Sequence, residues 1–244
     1  MRATSRVRSG GAPPLSSTPV TNFSGAQDFG AGQVPLQPAT GVAAHQRPAA
    51  RFKFFYGPMD CGKSTLALQI HYNHTRQGRR GLLLTAHDRS GHSQVTTRIG
   101  LSKDAHLLSD EEDVLALARS LDVDYIIGDE AQFYSIPQIE QLATLVDEHG
   151  VDCYAFGLNS DFTSTLFPAS ARLFELADEV CRLQVEVLCW CGAAGQLNGR
   201  VFRGDLVRQG QRVVIGDTDE GELHYQVLCR KHYMRGELSP NVGS

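Results

Sequence analysis

The sequence predicts an α/β fold, a parallel sheet flanked by helices followed by a small C-terminal metal-binding lobe, and three observations predict it. Apolar runs of strand length alternate with helix-period segments between residues 52 and 156. A glycine-rich turn, Gly57-Pro58-Met59-Asp60-Cys61-Gly62-Lys63-Ser64, joins the first such run to the first helical segment. Beyond residue 181 the helix period gives way to short strand-like runs, Gly-rich turns and two Cys/His pairs.

Taken in order, residues 1–50 hold six of the ten prolines among scattered Gly, Ser, Thr and Gln, with no apolar period. They read as a disordered tail. An organelle transit segment is the rival reading, because the stretch bears arginine and little acid, though it lacks a clear amphipathic stripe. Phe52-Lys53-Phe54-Phe55-Tyr56 reads as the first buried strand, and a helix over 63–77 follows, with Leu66 and Ile70 on one face and Gly78 as its stop. Leu82-Leu83-Leu84-Thr85 reads as a second strand. Residues 87–105 lack periodicity and read as a loop, after which Asp110 is the expected cap of a helix through Leu115 and Leu121.

Tyr125-Ile126-Ile127 is the third expected strand, 137–149 the next helix with Pro at its permissive start, and Asp152-Cys153-Tyr154-Ala155-Phe156 the fourth strand. Strands alternating with helices imply a parallel sheet covered on both faces. The second lobe is expected to carry strands at 184–188, 212–215 and 223–228. These readings divide the chain into the tail at 1–50, a nucleotide-binding α/β domain at 51–180, a metal-binding lobe at 181–236 and a flexible end at 237–244.

Charge narrows the classes. The chain carries a net −4, while residues 1–50 hold four arginines against Asp28 alone, so the remainder carries −7. That is a poor surface for non-specific nucleic-acid binding. No run approaches the roughly 20 apolar residues of a membrane span, and the chain is expected to be soluble and cytoplasmic.

The glycine-rich turn matches G-x-x-x-x-G-K-[ST] and lies between a strand and a helix, as that motif requires, so the sheet is of the P-loop NTPase type. Its glycines let backbone N–H groups converge on phosphate oxygens, Lys63 reaches the β- and γ-phosphates, and Ser64 can ligate Mg²⁺. Asp129-Glu130 follows an apolar strand, in the Walker B arrangement. Asp129 would hold Mg²⁺, while Glu130 is free to accept a proton. Asp60, inside the loop, must face away from the phosphates to be tolerated.

Cys189-Trp190-Cys191 and Cys229-Arg230-Lys231-His232 place four soft or borderline ligands in two pairs, which reads as a Cys₃His zinc site. The first pair is C-x-C, tighter than the usual C-x-x-C. Cys153 and Cys181 read as core residues. A RecA-like or zinc-ribbon ATPase acting on nucleic acid is the alternative these features allow; it calls for a basic face, which the −7 core does not offer.

Together the motifs resemble the zinc-containing, P-loop class of thymidine kinases over about residues 52–233. The resemblance rests on Gly57-Pro58-Met59, Asp88-Arg89, Thr97-Arg98-Ile99-Gly100-Leu101, Asp129-Glu130-Ala131-Gln132-Phe133, Gly157-Leu158 with Asp161-Phe162, Val213-Val214-Ile215-Gly216 and Cys229-Arg230-Lys231-His232-Tyr233. It implies transfer of the γ-phosphoryl of ATP to the 5′-hydroxyl of thymidine or deoxyuridine, with Glu130 as base, Lys63 and Arg89 on the phosphates, and Ser64 and Asp129 serving Mg²⁺. The ATP-binding set implied is Gly57, Pro58, Met59, Asp60, Cys61, Gly62, Lys63, Ser64, Thr65 and Asp88. Met59, Phe133, Leu158 and Phe162 would pack around the base. A lasso loop within residues 192–225 would grip it through the main chain of Val214, Ile215 and Gly216, with Tyr225 closing over the sugar or its phosphate. Structural Zn²⁺, small-molecule substrates and a homotetramer complete what the resemblance implies. The chain departs from the family's pattern at the C-x-C pair, at Asp217 where a second Gly commonly stands, and in the longer 217–224 link.

Overall fold

The computed structural model describes residues 49–86, 94–183, 186–211 and 223–239, all within the unit Arg47–Ser244. Residues 1–48 of the expected tail, the first two residues of the expected strand at 184–188, the expected strand at 212–215, Asp88, Arg89, Val214, Ile215, Gly216, Asp217, most of the 217–224 link and residues 240–244 lie outside the described residues.

In chain order the elements are β1 (Phe52–Tyr56), α1 (Lys63–Arg76), β2 (Gly81–Thr85), β3 (Gln94–Thr96), β4 (Ser102–Asp104), β5 (His106–Leu107), α2 (Val114–Leu121) and β6 (Tyr125–Asp129). A short 3₁₀ turn (Ala131–Phe133) leads to α3 (Ile136–His149), β7 (Asp152–Gly157), α4 (Pro168–Leu176) and β8 (Glu179–Arg182). The second lobe holds β9 (Leu197–Phe202), β10 (Asp205–Leu206), β11 (Leu223–Leu228) and α5 (Arg230–Arg235).

Six strands form one sheet in the order β5-β2-β6-β7-β1-β8, and every pairing in it is parallel. The period-2 alternation of side chains sorts each strand between two cores. Phe52, Phe54, Leu82, Leu84, Ile126, Cys153 and Ala155 face one way, toward a core shared with α2, α3 and α4. Leu83, Tyr125, Ile127 and Phe156 face the other, with Ala67, Leu66 and Ile70 of α1. Burying a side chain such as Ile127 or Phe156, both fully covered, stabilises by about 1.5–3 kcal/mol each. Because the strands are parallel and in register, with Tyr56 beside Gly157 and Gly128 beside Ala155, the loops leaving β1, β6 and β7 emerge at one edge of the sheet, where ligands of such sheets bind.

The sequence expectations need four corrections. Among the described part of 87–105, residues 94–104 form the β3–β4 hairpin rather than a loop, closed by Thr97 N–H to Leu101 O at 2.8 Å with Gly100 at φ 85°. Strands of three residues are too short to show alternation. Helix α2 is capped by Asp113, whose Oδ1 accepts from Ala116 N–H at 2.9 Å, and not by Asp110. The reason is tertiary: the Gln138 amide donates to the carbonyls of Ser109 and Glu112, and Gln141 Oε1 accepts from Val114 N–H, which holds the preceding residues out of the helix. The main sheet gains β5 and β8, with α4 between β7 and β8. In the second lobe, 186–187 are not strand and Leu188 makes an isolated bridge to Ala194, whereas β9, rich in polar residues, forms the middle of a three-stranded antiparallel sheet, β10-β9-β11.

Candidate active site and metal centre

The loop between β1 and α1 turns through two left-handed residues, Asp60 at φ 65° and Gly62 at φ 80°, and delivers α1 with its N-terminus facing a cleft of about 710 Å³. Lys63, Ser64, Thr65, Glu130, Met59 and Leu158 all line that cleft. Lys63 Nζ donates to Pro58 O at 2.8 Å and Gly57 O at 3.4 Å, folded over the loop it belongs to. Gly57 is required by crowding: a β-carbon there would lie 2.6 Å from Cys61 Sγ. Asp60 lines the cleft rather than facing away from it; its carboxylate is met by Arg98 of the β3–β4 hairpin at 2.6 Å.

Strand β6 ends in Asp129, whose Oδ2 accepts from Ser64 Oγ at 2.7 Å. Burial first, and then the adjacent Glu130 charge, raise the Asp129 carboxyl from 3.8 to about 6, against the opposing pull of Ser64, the Glu130 N–H and Lys63. Glu130 sits at φ 52°, and its Oε2 accepts from Gln132 Nε2 at 2.5 Å. Gln132 Oε1 in turn accepts from Leu158 N–H at 2.9 Å.

Of the residues expected around a base, Met59 and Leu158 are in the cleft, while Phe133 is packed edge-on against Phe167 at 5.6 Å and Phe162 is buried. The guanidinium of Arg200 stacks 3.7 Å above the Phe162 ring, and its Nε donates to Tyr225 OH at 2.9 Å. Arg200 thus joins two residues that sequence reasoning named, without having been named itself. Asn198, one strand position pair earlier on β9, accepts the Met59 N–H at 2.8 Å, and Tyr233 OH donates to Phe162 O at 2.6 Å. Both Asn198 and Arg200 are buried polar residues, so β9 is a strand whose polar side chains reach the loops that follow β1 and β7. A buried polar residue reads as surface in a single sequence, which is why β9, Asn198 and Arg200 were invisible there.

The four expected metal ligands converge. Ligand atoms of Cys189, Cys191, Cys229 and His232 all lie within 4.8 Å of one another. Cys189 Sγ is 3.4 Å from His232 Nδ1, and Cys191 Sγ is 4.0 Å from Cys229 Sγ. A tetrahedral zinc with bonds of about 2.3 Å to sulfur and about 2.0 Å to nitrogen has ligand–ligand edges of about 3.5–3.8 Å, so the donor set fits. The C-x-C pair works because Gly192, at φ 82°, closes a turn with its N–H on Cys189 O at 2.8 Å. His232 offers Nδ1 to the sulfurs while Nε2 faces Glu237 Oε2 at 3.4 Å, the carboxylate–histidine support that metal-binding imidazoles have. Backbone N–H groups at the start of α5, His232's foremost, hold the Cys229 thiol below its usual pKa and favour the thiolate. Among the described residues, Cys189, Leu228, Cys229 and Tyr233 form one small apolar cluster in this lobe.

A glycine-rich loop opening a helix, with a hydroxyl and a buried carboxylate paired beside it on a parallel sheet, defines a P-loop nucleotide-binding domain, here joined to a Cys₃His lobe. The family model described as thymidine kinase matches residues 50–233. The thymidine kinase of Streptomyces coelicolor is 50% identical over 205 residues, covering 78% of this chain and 95% of its own, and that of Cutibacterium acnes is 48% identical over 193 residues, covering 77% and 89%. Among solved structures, Bacteroides Pif1 bound to single-stranded DNA overlaps with a TM-score of 0.32 at 15% identity, over 55% of this chain and 38% of that one, a likeness too weak to bear on function. The chain belongs to the thymidine kinase family.

Proposed function

We propose that this protein transfers the γ-phosphoryl group of ATP to the 5′-hydroxyl of thymidine or deoxyuridine, giving the nucleoside 5′-monophosphate and ADP. The observation that carries it is that Lys63, Ser64 and Glu130 line one cleft, with the buried Asp129 hydrogen-bonded to Ser64, in a chain of this family. Lys63 exchanges its loop carbonyl partners for β- and γ-phosphate oxygens, beside the N–H groups that open α1. Ser64 and Asp129 offer hard oxygen donors of the kind magnesium prefers, and Mg²⁺ bound there supplies charge neutralisation at the phosphates. Glu130 takes the 5′-hydroxyl proton as the new O–P bond forms to the γ-phosphorus and the β,γ-bridging O–P bond breaks, its electron pair leaving with ADP.

Arg89, Asp88 and Thr65 complete the ATP contacts in this reading. Met59, Leu158, Phe133 and Phe162 form the base pocket, and Val214, Ile215, Gly216 and Tyr225 form the lasso. Zn²⁺ on Cys189, Cys191, Cys229 and His232 is structural. The division at residue 180, a homotetrameric assembly and a cytoplasmic location belong to the same proposal. Among the described residues no helix is long and apolar enough to cross a membrane. A coupled ADP-release assay with thymidine, deoxycytidine and deoxyguanosine tests the reading; thymidine-dependent release is expected, and its absence refutes the assignment. Glu130→Gln should lower kcat by about a hundred-fold or more with ATP binding retained.

A further inference from the structure

We propose that Gln132 is the positioning residue of the general base, setting the Glu130 carboxylate against the wall of the nucleoside site; this rests on the reading of Glu130 as the base. Glu130 leaves β6 in a left-handed conformation, φ 52°, an arrangement that costs a residue with a β-carbon about 1 kcal/mol and that neighbouring contacts must hold. Among the described residues, a hydrogen bond to its side chain comes from Gln132 in the turn that follows, at 2.5 Å.

The direction of that contact is fixed by a third group. Leu158 N–H can only donate, so the glutamine oxygen must face it, at 2.9 Å, and the glutamine NH₂ must face Glu130. Gln132 therefore donates to a carboxylate, a charge-assisted bond that favours one ionised rotamer. It is 3% exposed, and a buried amide is tolerated when both of its ends are satisfied. The seat is shaped for it. A β-carbon on Gly157 would lie 2.8 Å from Gln132 Oε1 and 3.1 Å from its backbone N, so the end of β7 is cleared for this side chain.

Leu158, on the other end of the relay, lines the cleft together with Glu130. One amide thus ties the carboxylate to the strand end that walls the nucleoside pocket. With Oε2 occupied by Gln132, Oε1 is the oxygen that receives the 5′-hydroxyl proton.

Two substitutions separate positioning from structural support. Gln132→Glu keeps an acceptor for Leu158 N–H and loses the donor to Glu130; Gln132→Met keeps the volume and loses both bonds. Each should lower kcat by about 30-fold while KM for ATP stays within about two-fold, since misplacing a reacting group falls on the chemical step. In a Glu130→Gln background, Gln132→Met should add less than about a two-fold further loss, because the two residues act as one unit. Near-normal kcat in Gln132→Glu, or a full additional 30-fold loss in the double variant, overturns the proposal. If Glu130→Gln itself keeps its turnover, the base assignment fails and the proposal with it; if Glu130→Gln is inactive while Gln132→Glu is active, the proposal alone fails.

Discussion

At the scale of single residues, Asp60 shows how a charge is accommodated in a phosphate loop. The sequence demands that an acid there turn away from the phosphates, and the structure instead keeps it at the cleft and pairs it with Arg98, whose side chain is 78% exposed. So exposed a pair is worth about 1 kcal/mol or less, yet its loss would leave a bare negative charge beside bound triphosphate. Arg98→Ala should therefore raise KM for ATP by about three- to five-fold, and adding Asp60→Asn should restore it; steady-state kinetics on the two variants checks both, with the effect shrinking as salt is raised. Lys63, Ser64, Asp129 and Glu130 could be singled out in the sequence because a phosphate loop has a fixed local spacing and the acidic pair follows an apolar strand, and the fold places them together. Arg98 and Gln132 were legible as motif letters but not as roles, since each acts through a partner that is distant in sequence or set by a fold contact.

At the scale of elements, the long strands and helices were readable because burial on both faces writes an unbroken apolar run into a strand such as β6, while burial on one face writes a helical period into α3. Among the elements that were not read, β3, β4 and β5 are two or three residues long and β9 carries polar side chains inward. Helix α1 also carries a buried polar seam against β6: Tyr125 OH lies 2.9 Å from His71 Nδ1 and 3.2 Å from Thr75 Oγ1. Burial, and then the nearby Lys103 charge, lower the His71 pKa from 6.5. The unfolded chain thus takes up a proton near pH 6.5 that the folded chain resists, and stability is lost as pH falls below that value, levelling once the folded pKa is passed. His71→Asn, which keeps an acceptor near the Nδ1 position, should gain stability relative to the parent between pH 7.5 and 5.5. Urea denaturation of both proteins across that range would show a constant difference if His71 has no part in it.

At the scale of the whole molecule, the described residues of the small lobe include one small apolar cluster, and zinc on the Cys₃His cluster would add to its stability. Removing zinc with a strong chelator should release one ion per chain and lower Tm by several degrees, and Cys229→Ser should do the same without chelator; metal analysis and calorimetry measure both. The loss should reach the nucleotide site, because Asn198, Arg200 and Tyr233 connect that lobe to Met59 and Phe162. The Met59–Asn198 bond has a further consequence. The Met59 amide of the loop is already engaged by Asn198, so in the proposed reading a cradle closing on phosphate would be made from the amides after it, with its aperture set in part from β9. Grafting this loop onto a scaffold without β9 would leave position 59 free to turn inward and would change the shape of the cradle itself.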